Sequence, residues 1–130
     1  LASPPSTYDA IVRNMADGLA PGTIVMDTAS VKRMAMQAIG SHLPVQTDFI
    51  PAHPIAGSEL SGASAASADL FQKRRVIVTP DEPLETGALK AVTAFWQGMG
   101  ARVEGMPPDM HDAVFAYISH LPHLLAYAAS

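Results

Sequence analysis

The feature that most limits how this chain can fold is the alternation of short apolar, β-branched runs with longer stretches whose apolar residues recur at helical spacing. That alternation marks an α/β architecture with a largely parallel sheet, because a parallel neighbour needs a crossover long enough to hold a helix. Tyr8, Ile11, Val12, Met15 and Leu19 predict a helix that Ser6 caps and that runs to about residue 19, before Ala20-Pro21-Gly22. Residues 23–27 read as a buried strand, and Ser30 as the cap of a second helix from 31 to about 39, closed by Gly40. Residues 49–54 read as a short strand entering a Gly-, Ser- and Ala-rich loop that continues to about 69. A strand at 75–79, a helix from 84 to about 99, a strand at 102–104 and a helical segment at 107–130 complete the pattern.

Composition removes several classes of function. With 8 Lys and Arg against 12 Asp and Glu, the formal charge is −4, which disfavours nucleic acid and acidic membrane as partners. Hydrophobic residues make up 48% and charged residues 15%, enough apolar surface to offset the entropy of ordering a core. No apolar run approaches the roughly 18 residues of a membrane span, and no export signal opens the chain. The absence of cysteine removes disulfides, thiolate metal sites and Cys nucleophiles, and fits a cytoplasmic protein. Both ends read as cuts: Leu1-Ala2 runs straight into Ser3-Pro4-Pro5, and Ser130 falls in mid-pattern. The chain thus reads as the second half of a Rossmann-type doubly wound sheet, whose Gly-rich phosphate turn belongs to the first half. No such turn occurs here; Gly98-Met99-Gly100 falls at a helix end, where glycines terminate helices.

Three constellations could carry chemistry. His53-Pro54-Ile55-Ala56-Gly57-Ser58-Glu59 puts an imidazole, a hydroxyl and a carboxylate within seven residues at a strand exit, where open α/β sheets bind ligands. A histidine near its ordinary pKa of about 6.5 can accept a proton at neutral pH, although a histidine simply hydrogen-bonded into a loop reads equally well. Asp27-Thr28-Ala29-Ser30-Val31-Lys32 ends the preceding strand; Ser30 can cap the helix and still offer its hydroxyl to a ligand. The third is His111-Asp112 with Ser119-His120-Leu121-Pro122-His123. His120 and His123 share a helix face, with a kink or restart expected at Pro122. Surface or core histidines are the plain reading; a metal site is not expected, because the spacing matches no familiar ligand pattern.

Taken together, Ser3-Pro4-Pro5, Asp27-x-x-Ser30-Val31-Lys32, His53-Pro54-Ile55-Ala56-Gly57-Ser58-Glu59-x-Ser61-Gly62, His111-Asp112 and Ser119-His120-Leu121-Pro122-His123 resemble the prephenate/arogenate dehydrogenase family of tyrosine biosynthesis over essentially the whole chain. The resemblance implies an enzyme, and the oxidative decarboxylation of prephenate or arogenate to 4-hydroxyphenylpyruvate or tyrosine with NAD or NADP. It implies His53 as the catalytic base and Ser30 as its hydrogen-bonding partner. It also implies Ser58, Glu59, His123 and, more weakly, His120 at the substrate, and Ser3, Pro4, Thr28 and Ser30 at the cofactor. Residues 1–106 would then be the C-terminal part of the nucleotide-binding domain, and 107–130 the first helix of an all-helical substrate and dimerisation domain. A homodimer through that helical domain is implied, and the 130 residues alone are expected to be inactive. The family arginine that grips the substrate carboxylate would lie outside the chain, while Lys32, Arg33, Arg74 and Arg75 are expected to be solvated surface residues. Two other readings remain: a β-hydroxyacid dehydrogenase relative, against which stands the lack of any lysine after Lys90, and a non-catalytic Rossmann-like interaction module.

Overall fold

A computed structural model describes residues 1–57, 66–81 and 85–120, the side chains of residues 119 and 120 excepted. Among the described residues, five strands and four α-helices follow the predicted order, except that the single strand expected at 49–54 is two. They are α1 (Tyr8–Ala16), β1 (Ile24–Met26), α2 (Lys32–Gly40), β2 (Asp48–Ile50), β3 (Ala52–Ile55), β4 (Arg75–Val78), α3 (Gly87–Gly98), β5 (Arg102–Gly105) and α4 (Pro108–Phe115). A 3-10 turn at Pro5–Thr7 leads into α1, and a π-helical turn at Ala116–His120 follows α4.

Strand pairing is largely parallel, as expected, with one antiparallel pair. β1 and β2 pair in parallel, as do β4 and β5, but β3 and β4 run antiparallel. β2 and β3 are one stretch of chain broken only at Pro51, so residues 48–55 join the β1–β2 pair to the β3–β4–β5 sheet. The antiparallel step also moves His53: it lies inside β3, opposite Ile77, and not in a loop at a strand exit. Pro54, which lacks an N–H, is accommodated because β3 is an edge strand of its sheet.

Successive strand residues point to opposite faces, and the core divides accordingly. Val25 joins Tyr8 and Val12 of α1 and Ala35 and Ile39 of α2 in one cluster; Ile50, Ala52, Val76 and Val78 join Ala88, Val92 and Trp96 of α3 in the other. The sheet is therefore covered on both faces. The same alternation turns His53 and Ile77 away from α3, toward the face where α2 packs on α4.

Helix ends depart from the local reading. Ser6 falls within the 3-10 turn and does not cap α1, whose N-cap is Thr7. Ser30 does not cap α2 either: the N-cap is Val31, which has no capping side chain, and the free N–H groups of Lys32 and Arg33 donate instead to Asp112 of α4 at 2.8 and 2.9 Å. α3 begins at Gly87, with the Thr86 hydroxyl accepting from the Leu89 N–H at 3.1 Å. It ends as expected at glycines, Gly100 taking the left-handed φ of 81°.

Candidate active site

The site begins at Lys32, which is fully buried and not a solvated surface residue. A buried ammonium is tolerable only when paired. Its Nζ donates to Asp27 Oδ2 at 2.6 Å and to the Ala52 carbonyl, while Asp27 accepts from the N–H groups of Ala29 (3.0 Å) and Ala52 (3.1 Å). Burial pulls the Lys32 pKa down and Asp27 opposes it, the balance lying below the ordinary lysine value. The ion pair thereby fixes both main-chain polar groups of Ala52, the residue before His53. Arg33 stays at the surface, its guanidinium forked on Asp109 and reaching Asp81 at 3.3 Å. Arg75 pairs with Glu104 at 2.6 Å, and Arg74 is exposed.

His53 meets α4 through its ring. Its Nδ1 lies 2.8 Å from Nε2 of His111, and His111 Nδ1 lies 2.8 Å from Asp112 Oδ1. His111 is fully buried, and Phe115, one helical turn on, stacks on it with centroids 4.5 Å apart while meeting His53 edge-on at 4.9 Å. Burial pushes the Asp112 carboxyl up, but the N–H groups of Lys32 and Arg33 and the His111 ring outweigh that and hold it below the ordinary aspartate value. Asp112 is therefore a carboxylate at neutral pH. A continuous line of polar contacts runs from the start of α2 through Asp112 and His111 to His53.

The other predicted residues fall into two groups. Ser3 accepts from the Thr7 hydroxyl at 3.0 Å, and Thr28 donates to the Leu1 carbonyl at 3.4 Å. Leu1 N also donates to the Met26 carbonyl at 2.6 Å, so Ser3, Pro4 and Thr28 lie on adjacent turns beside the end of β1. Ser30 is exposed two residues before Lys32 and makes no side-chain hydrogen bond among the described residues. Ser58, Glu59, His123 and the side chain of His120 lie outside the described residues. The sequence singled out His111-Asp112 and Lys32 but not these contacts, and it did not single out Phe115. The usable signals were a His-Asp pair one turn into a Pro-started helix and a Phe four residues beyond the His.

The family described as prephenate dehydrogenase, nucleotide-binding domain, matches residues 1–105. The cyclohexadienyl dehydrogenase of Zymomonas mobilis is 36% identical over 127 residues, which are 98% of this chain and 43% of that protein. The crystal structure of Aquifex aeolicus prephenate dehydrogenase in complex with hydroxyphenyl propionate and NAD+ superposes with a TM-score of 0.90 at 36% identity, covering 99% of this chain and 44% of that one. That of Synechocystis arogenate dehydrogenase does so with a TM-score of 0.80 at 28% identity, covering 99% and 45%. The chain thus spans less than half the length of these relatives. A Rossmann-type half-sheet with this match over residues 1–105 belongs to the prephenate dehydrogenase family.

Proposed function

We propose that this chain is the part of a prephenate or arogenate dehydrogenase of tyrosine biosynthesis that carries the catalytic base, His53. In that reading a ring hydroxyl is oxidised, the ring carboxylate leaves as carbon dioxide, and aromatisation makes the loss downhill. Nicotinamide, when bound, supplies the hydride acceptor. Ser3, Pro4 and Thr28 fit its edge by chemistry and position: two hydroxyl-bearing turns sit side by side beyond a strand end, where open α/β sheets take ligands. Asp27 does not, since its oxygens serve Lys32, Ala29 and Ala52.

The observation that carries the proposal is the His53–His111 contact at 2.8 Å. It engages Nδ1 of His53 and orients the ring, as a base that draws the proton off an alcohol losing its hydride requires. Ser30, at the turn into α2, is read as a substrate or cofactor contact, and Ser58, Glu59, His120 and His123 as substrate contacts. The reading includes residues 1–106 as nucleotide-binding domain and 107–130 as the first helix of a helical domain. It further includes a cytoplasmic homodimer using either NAD or NADP. Exposed Met110, Tyr117 and Ile118 along the last helical turns support a further packing surface there.

In the full-length enzyme, His53→Asn is expected to lower kcat by roughly 10² to 10⁴-fold with cofactor affinity nearly unchanged. Steady-state assays with prephenate and arogenate, each with NAD and NADP, test this and identify the preferred pair. Turnover near that of the parent enzyme removes His53 from the base role.

A further inference from the structure

We propose that Lys73, Arg74 and Arg102 form an anion-recruiting patch that draws a dicarboxylate substrate toward the sheet face carrying His53. The proposal rests on the reading of prephenate or arogenate as the substrate. Charge pairing across the chain leads to it. Five of the eight Lys and Arg residues sit in ion pairs: Arg13 with Asp9, Lys32 with Asp27, Arg33 with Asp109 and Asp81, Arg75 with Glu104, and Lys90 with Glu85. The remaining three, Lys73, Arg74 and Arg102, are exposed and have no ion-pair partner among the described residues. They also lie together. The Lys73 N–H donates to the Gly100 carbonyl and the Arg102 N–H to the Arg74 carbonyl, each at 2.8 Å, and Arg102 stands in register beside Arg75.

The sheet sets this patch next to the candidate active site. Ile55, Arg75 and Arg102 are neighbours across β3, β4 and β5, and two residues along, on the same face, His53, Ile77 and Glu104 form the adjacent row. At about 3.3 Å per residue and about 4.8 Å per strand, the main chain of Arg102 is about 12 Å from that of His53, close to the Debye length of about 10 Å at 0.1 M salt. Gathering the cations carries a cost. Arg75 and Arg102 are like charges placed side by side, only Arg75 is offset by Glu104, and Lys73 holds a left-handed φ of 59°, uncommon outside glycine. Setting Glu104 and exposed Asp69 against Lys73, Arg74, Arg75 and Arg102 leaves the region at +2 in a chain of −4. The chain as a whole repels an anion, and the patch reverses the field beside His53.

The two candidate substrates feel this field differently. Prephenate carries two carboxylates and no cation, whereas arogenate sets an ammonium against one of its carboxylates, so the patch favours prephenate. The test is steady-state kinetics of the full-length enzyme with each substrate at about 0.02 M and about 0.5 M salt; a compound that binds without turnover is read by its inhibition constant. Arg74→Glu combined with Arg102→Glu is expected to raise KM for prephenate about tenfold at the lower salt and KM for arogenate about threefold, with kcat unchanged. At the higher salt both effects shrink below about twofold. Arg13→Glu combined with Lys90→Glu changes the net charge equally on α1 and α3 and is expected to leave both KM values within about twofold. An unchanged prephenate KM at the lower salt, a rise that persists at the higher salt, an equal or larger rise for arogenate, or an equal rise in the α1 and α3 variant overturns the patch. A parent enzyme that turns over neither compound overturns the substrate reading instead.

Discussion

Replacing Lys32 with methionine keeps the length and most of the apolar stem of the side chain but deletes the charge that neutralises Asp27. Both partners are fully buried and 2.6 Å apart, and removing one member of such a pair costs about 3–5 kcal/mol, because the other charge is left without a counter-charge. Two features of the structure push in opposite directions. Asp27 retains the N–H donors of Ala29 and Ala52, which stabilise the orphaned carboxylate, whereas the Ala52 carbonyl loses its Nζ donor. The expected loss is therefore near the lower end, about 3 kcal/mol, or a little over two decades in the folding constant. The double variant Lys32→Met/Asp27→Asn should recover about 2 kcal/mol of this, since no unpaired charge then remains. Urea unfolding of the full-length protein, followed by far-ultraviolet circular dichroism, measures both. A loss below about 1 kcal/mol for the single variant, or a double variant less stable than the single, refutes the claim that this pair locks the segment leading into His53.

Two further outcomes follow from the helix ends. The Asp112 pKa is depressed in the folded protein, so in the window between that depressed value and about 4 the unfolded chain binds more protons, and stability rises with pH there. Its contribution is complete above the unfolded value and is lost as pH falls through the folded one. The stability gap between the parent and Asp112→Asn, measured by urea titration, should therefore shrink on going from about pH 5 to about pH 2; a constant gap contradicts it. Thr86→Ala removes the side chain that accepts from the Leu89 N–H and should cost about 1 kcal/mol, read as a lower urea midpoint at unchanged slope.

The order of strands and helices was legible because each element carries its own period: Val76, Ile77 and Val78 form a short β-branched run, and Ala88, Val92 and Trp96 recur at helical spacing. What escaped was decided across the chain. Ser30 has the right chemistry for a cap and sits near the right place, yet the start of α2 is satisfied from 80 residues away by Asp112. A charged carboxylate that accepts from two N–H groups and interacts with the positive end of the helix is a stronger cap than one hydroxyl. Lys32 looked like surface because charge defaults to solvent, and only the folded chain brings Asp27 and the Ala52 carbonyl to it. The antiparallel turn of β3 was likewise hidden, since Phe49 to Pro54 contains nothing that distinguishes one strand from two strands broken at Pro51.

These failures of local reading are not scattered. The helix start without a capping side chain and the buried lysine meet in one residue: Lys32 gives its main-chain N–H to Asp112 and its ammonium to Asp27 and Ala52. One arm leads through His111 to the ring of His53, and the other to the main chain immediately before it. Local rules give way where a structure accepts a cost to hold a reactive group in place. Two such exceptions converge on His53, the residue proposed as the base. Their convergence also ties the two stability variants to catalysis: a substitution at Lys32 or Asp112 that loosens either arm should reduce turnover without touching substrate.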